Sequence, residues 1–85
     1  MDRFDHAAVI DLAEVVDRDG LDAHTATLSA LAERGADLGV SRVLGDVMLS
    51  TEEPYVARVR AFTLLTGAVV RRGSRAARHD LLVAA

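Results

Sequence analysis

The chain contains no cysteine, no tryptophan and no lysine, and it has one proline among its 85 residues. Without cysteine it has no disulfide, no thiolate metal ligand and no cysteine nucleophile. Aromatic residues make up 4% of the chain, too few for the stacking platforms that bind single-stranded nucleic acid. All ten basic residues are arginine, a composition typical of a GC-rich bacterial genome.

The chain is nevertheless rich in apolar residues for its size. They occupy 51% of its positions, and the mean hydropathy is +0.20. A single domain of this length, spanning residues 1–85, buries only about 60% of the surface that its unfolded chain exposes. Part of the apolar content is therefore expected to stay on the surface, which predicts a homodimer, another homo-oligomer or a complex with a protein partner.

Neither a membrane segment nor an export signal is predicted. The run of ten uncharged residues at 61–70 is bracketed by Arg60 and Arg71 and is too short to cross a bilayer. Near the N-terminus, Asp2 and Asp5 accompany a stretch that lacks the continuous apolar region of a signal peptide. The expected location is the cytoplasm.

Charge is divided unevenly along the chain. Residues 1–53 contain four arginines and twelve acidic residues, a net charge of −8, whereas residues 54–85 contain six arginines and one acidic residue, a net charge of +5. One interpretation is that the two halves face each other within the fold or across a dimer. The alternative is that the arginine-rich end binds an acidic protein or nucleic acid.

The longest helix is predicted at about residues 51–72. Ser50 and Glu53 have the spacing of a capping box, Pro54 suits a first helical turn, and Gly73 suits the position after a helix. Apolar residues recur between these signals at steps of three and four and cover more than one side. This pattern indicates a core helix with several neighbours. Its expected core residues are Tyr55, Val56, Val59, Phe62, Leu64, Leu65, Val69 and Val70.

Three helices precede this long helix and a weaker one follows it. Apolar periodicity, with turn signals at Gly20 and Gly35, predicts them, and Asp5, Ser41 and Ser74 are candidate N-caps. Their approximate bounds are 5–18, 21–34, 41–48 and 74–83. No segment alternates as a half-buried strand does. The sequence therefore predicts an all-α bundle of four main helices with a weaker C-terminal fifth.

Residues 31–48 resemble a helix-turn-helix around the turn Gly39-Val40-Ser41. A recognition helix usually has an apolar residue about four positions after the serine, where this chain has Gly45. Any phosphate contact by Arg42 is opposed by Asp46. An ordinary helical hairpin is the favoured interpretation, and a DNA-binding regulator is the alternative.

The arginines near the C-terminus are the candidate partner-binding residues. In a helix continued through Gly73, most of them share one face, from which guanidinium groups can bind carboxylate or phosphate by paired hydrogen bonds. The plainer interpretation is a solvated helix face whose charge complements the helix terminus and the acidic half. The candidates are Arg60, Arg71, Arg72, Arg75 and Arg78.

No pattern in the sequence predicts a catalytic, cofactor or metal site. His6, His24 and His79 lack the spacing of helical metal ligands, and His24 is expected to be a hydrogen-bonded residue at the core edge. The favoured function is a non-enzymatic helical module for protein–protein interaction or regulation. Besides the DNA-binding regulator, a small enzyme with a site at a subunit interface is a further alternative.

Overall fold

The computed structural model describes the backbone of residues 3–84 and the side chains of residues 3–76. Its α-helices, in chain order, are α1 (His6–Asp19), α2 (Thr25–Asp37), α3 (Arg42–Leu49) and α4 (Tyr55–Ala84). A short 3₁₀ helix, Leu21–His24, leads into α2, and no strand occurs in the described backbone. The prediction of an all-α bundle with four main helices is confirmed.

Two of the predicted N-caps are present. The carboxylate of Asp5 accepts a hydrogen bond of 2.9 Å from the Ala8 N–H and begins α1. The hydroxyl of Ser41 accepts one of 3.3 Å from the Val43 N–H and begins α3. In both cases a short polar side chain satisfies a backbone donor that the first helical turn leaves free.

The predicted capping box at the start of the long helix is wrong. Ser50 instead ends α3, because its N–H donates to the Val47 carbonyl at 3.2 Å, and its own carbonyl accepts from the Glu53 N–H in a turn. The first carbonyl of the α4 ladder belongs to Pro54, which accepts from Arg58. The helix therefore begins at Tyr55 rather than at residue 51.

The predicted stop at Gly73 and the separate fifth helix are also wrong, since α4 continues without a break for 30 residues. One glycine inside a helix costs only about 1 kcal/mol relative to alanine. Arg71 and Arg72 precede Gly73, and Arg75 and Ala76 follow Ser74, so residues that favour helix lie on both sides of the glycine. No helix in the described part of the chain is both long and apolar enough to span a membrane.

The core lies where α4 crosses the other helices. Its side chains come from all four α-helices and the 3₁₀ helix, with Phe4 and Val40 from the segments beside them, and α1 contributes Val9, Leu12 and Val16. Phe62 is buried, as predicted, but the prediction is wrong for Tyr55, Val56 and Leu64, which are exposed because neighbours cover only one side of α4. The large side chains that are fully buried are Leu21, Leu28, Leu31, Met48, Leu65 and Val69.

Two glycines within helices allow the helices to approach closely. A Cβ atom at Gly45 would lie 2.8 Å from the Cβ of Ala32, so α3 and α2 meet at this point. A Cβ atom at Gly35 would lie 2.8 Å from Cδ1 of Leu65. Gly35 is therefore a packing residue inside α2, which ends at Asp37, and not the helix terminator that the sequence suggested.

Candidate protein-interaction surface

The outer side of α4 combines arginine with exposed aliphatic side chains. Val56 is 79% exposed and Leu64 is 51% exposed, and they lie among arginines at steps of four and seven residues. At 3.6 residues per turn these steps bring the side chains onto one face of the helix. We call this surface the cationic face of α4. It consists of Val56, Arg60, Leu64, Arg71 and Arg75.

Three of the predicted partner-binding residues, Arg60, Arg71 and Arg75, are exposed on this face. Arg72 lies on another side of α4, where its Nη1 donates a 3.2 Å hydrogen bond to the Leu38 carbonyl at the end of α2. The side chain of Arg78 lies outside the described residues. The structure thus brings three of the five candidates together and directs Arg72 towards α2.

The arginines of the cationic face have no acidic ion-pair partner among the described side chains. The basic and acidic parts of the chain meet at Arg58 and Asp22, but Arg60, Arg71 and Arg75 form no ion pair or hydrogen bond within residues 3–76. Pairing between the two halves therefore leaves the charge of this face uncompensated in the described part of the fold.

The outer side of α1 has the opposite charge. Asp11, Glu14 and Asp17 are exposed and have no hydrogen-bond partner among the described side chains, and Ile10, 46% exposed, lies among them. The steps from Ile10 to Glu14 and Asp17 are four and seven residues, which again place side chains on one helix face. We call these four residues the acidic face of α1.

A buried arginine that the sequence analysis did not identify fixes the start of α4. The Arg58 side chain is 7% exposed, and its Nε donates to the Met48 carbonyl at 3.0 Å. Its Nη2 and Nη1 donate to the two carboxylate oxygens of Asp22 at 2.7 and 3.4 Å. Tyr55 lies beside the guanidinium, and its hydroxyl accepts a 3.1 Å hydrogen bond from the Leu21 N–H.

These contacts hold α3, α4 and the 3₁₀ helix in one arrangement. Hydrogen bonding from Arg58 lowers the pKa of Asp22 and, reciprocally, raises the pKa of Arg58. Both shifts favour the charged forms, so the pair is an ion pair at neutral pH. The sequence does contain a signal for it, since Arg58 lies three, four and seven residues from Tyr55, Phe62 and Leu65, on the buried stripe.

A second polar cluster closes the junction between α1 and the 3₁₀ helix. The Asp19 carboxylate accepts a 3.0 Å hydrogen bond from Arg18 Nε, and its other oxygen lies 3.0 Å from His24 Nε2. The Arg18 and His24 hydrogen bonds lower the pKa of Asp19 to about 2. His24 is half-buried at the edge of the core, as predicted, and its partner is the carboxylate of the last residue of α1.

Depressions lie between the helices in the described part of the chain. A groove of about 260 Å³ between α1 and α4 is lined by Ala13, Val16, Asp17, Tyr55, Val59, Phe62 and Thr63. A pocket of about 190 Å³ between α2 and α3 is lined by Ser29, Ala32, Glu33, Arg42, Gly45, Asp46 and Leu49. Within the described residues, no group of three histidine, aspartate or glutamate side chains is placed to hold a metal ion.

The segment that resembles a helix-turn-helix forms a hairpin of α2 and α3. Its turn includes Gly39, whose φ of +84° lies in the region that glycine adopts readily. Arg42 and Asp46 are both exposed on α3, so a basic and an acidic side chain occupy the surface that would approach phosphate. The hairpin geometry is present, but α3 carries one basic and one acidic side chain.

Comparison of the chain with protein-family models, curated proteins and solved structures found no match.

Proposed function

We propose that the protein is a small, non-enzymatic helical module for protein–protein interaction that associates with itself as a homodimer. The observation that carries this proposal is the cationic face of α4. Isolated exposed aliphatic side chains are common, but here Leu64 lies between arginines that have no acidic partner in the described structure, and Val56 begins the same face. Arginine is enriched in protein interfaces, whereas lysine is depleted.

The setting that we propose is the bacterial cytoplasm. Arginine as the sole basic residue supports the bacterial part of this proposal. The absence of cysteine means that the fold does not depend on an oxidising compartment. An interaction or regulatory role in that setting requires a partner but no cofactor.

The decisive measurement is the absolute mass of the protein in solution, by light scattering during gel filtration at about 0.05 M and about 0.5 M salt. We expect twice the chain mass of 9.1 kDa at low salt and partial dissociation at high salt, because charge contributes to the contact. A monomer at both salt concentrations over the micromolar to millimolar range would contradict self-association.

A matched pair of variants tests whether the cationic face is the interface. Leu64→Gln places an uncharged polar group in that face and is expected to weaken dimerisation at least about tenfold, equivalent to about 1.4 kcal/mol. Val43→Gln makes a similar change at a 63% exposed position on α3 and is expected to leave the dimer unchanged. Equal effects of the two changes would place the interface elsewhere.

Duplex DNA is the competing ligand for the same arginines. A DNA-binding regulator would lose affinity steeply with salt, and neutralising its phosphate-contacting arginines would reduce that dependence. We expect no salt-sensitive shift of duplex DNA by the wild-type protein. A shift that disappears when Arg60, Arg71 and Arg75 are replaced by glutamine would favour DNA binding over self-association.

A further inference from the structure

We propose that the acidic face of α1 in one copy binds the cationic face of α4 in a second copy, and that the two copies exchange this contact reciprocally. This inference rests on the proposed self-association and specifies which surfaces form it. In a closed dimer each chain supplies both faces, so the same pair of surfaces meets twice.

Charge complementarity is the first argument. The cationic face presents Arg60, Arg71 and Arg75, and the acidic face presents Asp11, Glu14 and Asp17. None of these six side chains has a partner of opposite charge among the described residues of its own chain. A second copy therefore offers each face the charge that its own fold does not provide, which favours association and fixes its orientation.

Apolar surface is the second argument. Leu64 and Val56 lie among the arginines of α4, and Ile10 lies among the acidic residues of α1. Contact between the faces would cover Leu64, which lies within the cationic face, and Val56 and Ile10, which lie at the N-terminal ends of the two faces. Removal of this apolar surface from water would add to the contribution of charge.

The acidic face is shorter than the cationic face. With a rise of about 1.5 Å per residue, the acidic face from Ile10 to Asp17 extends over about 10 Å, and the cationic face from Val56 to Arg75 extends over about 28 Å. The acidic face can thus lie along part of the cationic face. The same acidic face would repel nucleic acid, which argues against phosphate as the partner of α4 in the assembled protein.

A charge-reversal exchange in the full-length protein tests the assignment. Arg60→Glu with Arg71→Glu makes both faces acidic, and Asp11→Arg with Glu14→Arg makes both faces basic. We expect each double variant to weaken dimerisation at least about 100-fold, because like charges oppose one another across the contact. An equimolar mixture is expected to regain the wild-type affinity, since each variant supplies the face that complements the other.

Control variants distinguish the effect of the two faces on dimerisation from the effect of net charge. Arg3→Glu with Arg42→Glu changes the net charge as the α4 reversal does, and Glu52→Arg with Glu53→Arg matches the α1 reversal. These four residues are exposed and lie outside both faces, so each control variant is expected to have the mass of the wild-type dimer in solution. Circular dichroism of each double variant confirms that it is folded before its mass is compared.

The outcomes distinguish this inference from the proposed function. If both charge-reversal variants still form dimers, or if their mixture stays monomeric while the wild-type protein is dimeric, the pairing of α1 with α4 is wrong. The proposal of self-association is unaffected by that result. If the control variants dissociate as readily as the face variants, net charge and not these faces governs assembly, and the inference is again wrong. A wild-type monomer contradicts the proposed function itself.

Discussion

Arg58 occupies a position that an aliphatic residue would fill in a simpler bundle. Removing a guanidinium from water is costly, and its hydrogen bonds to Met48 and Asp22 offset that cost. The pair is asymmetric, because the Asp22 side chain remains 67% exposed while Arg58 is buried. Loss of Asp22 would therefore leave a buried cation without a counter-ion, whereas loss of Arg58 would leave a hydrated carboxylate.

This asymmetry leads to a pH-dependent prediction for Asp22→Asn. Hydrogen bonding from Arg58 lowers the pKa of Asp22 in the folded state. The stabilisation is fully present above the unfolded pKa of about 3.9 and is lost as pH falls through the lower folded value. Asp22→Asn should therefore lower the free energy of unfolding at pH 7 and flatten its decline in acid, as measured by urea unfolding at several pH values.

Asp19 contributes to the same acid range, since its pKa is about 2 beside Arg18 and His24, so some decline remains in Asp22→Asn. Asp46→Asn is the matched control, because Asp46 is an exposed carboxylate outside both faces and has no hydrogen-bond partner among the described side chains. If both substitutions leave the same pH dependence, the ion pair with Arg58 does not stabilise the fold.

At the scale of the helices, glycine was the least informative sequence signal for where a helix ends. Gly20 does follow the end of α1, but Gly35, Gly45 and Gly73 lie inside helices. A glycine can end a helix, and it can equally allow another helix to approach, and only the position of the neighbour separates the two. The existence of the helices followed from apolar periodicity, whereas several of their ends depended on contacts distant in sequence.

The candidate surface also depended in part on contacts that the sequence does not reveal. Helical spacing was sufficient to place Arg60, Arg71 and Arg75 on one face of a continuous helix. It was not sufficient to identify Leu64 as exposed, because α4 has apolar residues on more than one side and its sequence does not specify which side is covered. Arg58 was missed because a charged residue is normally assigned to solvent, although its spacing matched the buried stripe.

Two glycine-to-alanine substitutions should change the free energy of unfolding in opposite directions. Gly45→Ala places a methyl group 2.8 Å from the Cβ of Ala32, which cannot rotate away, and such overpacking typically costs about 1–3 kcal/mol. Gly67→Ala meets only the flexible end of Arg71 at 3.2 Å, so the gain in helix propensity of about 1 kcal/mol should dominate. Thermal unfolding of the two variants measures both effects, and stabilisation by Gly45→Ala would contradict the close approach of α2 and α3.

At the scale of the whole molecule, the net charge of −3 conceals two faces of opposite charge on different helices. An interface of standard size buries about 800 Å² on each partner, roughly one seventh of the 5671 Å² accessible surface of this chain. A small domain gains proportionally more from such burial than a large one, because its own core is limited. Assembly and stability should therefore be coupled in this protein.

That coupling predicts a melting temperature that depends on protein concentration. Above the dissociation constant, each tenfold increase in concentration adds about 1.4 kcal/mol per dimer, or about 0.7 kcal/mol per chain, by mass action. For a domain of this size the melting temperature should rise by roughly 3–6 °C per tenfold step.

The variants designed for the two faces provide the comparison. Arg60→Glu with Arg71→Glu should melt at a temperature independent of concentration, whereas the charge-matched Arg3→Glu with Arg42→Glu should retain the wild-type dependence. Scanning calorimetry at three concentrations measures this for all three proteins. A wild-type melting temperature that does not change with concentration would mean that the bundle is stable without a second copy, and the exposed face of α4 would then require a different protein to cover it.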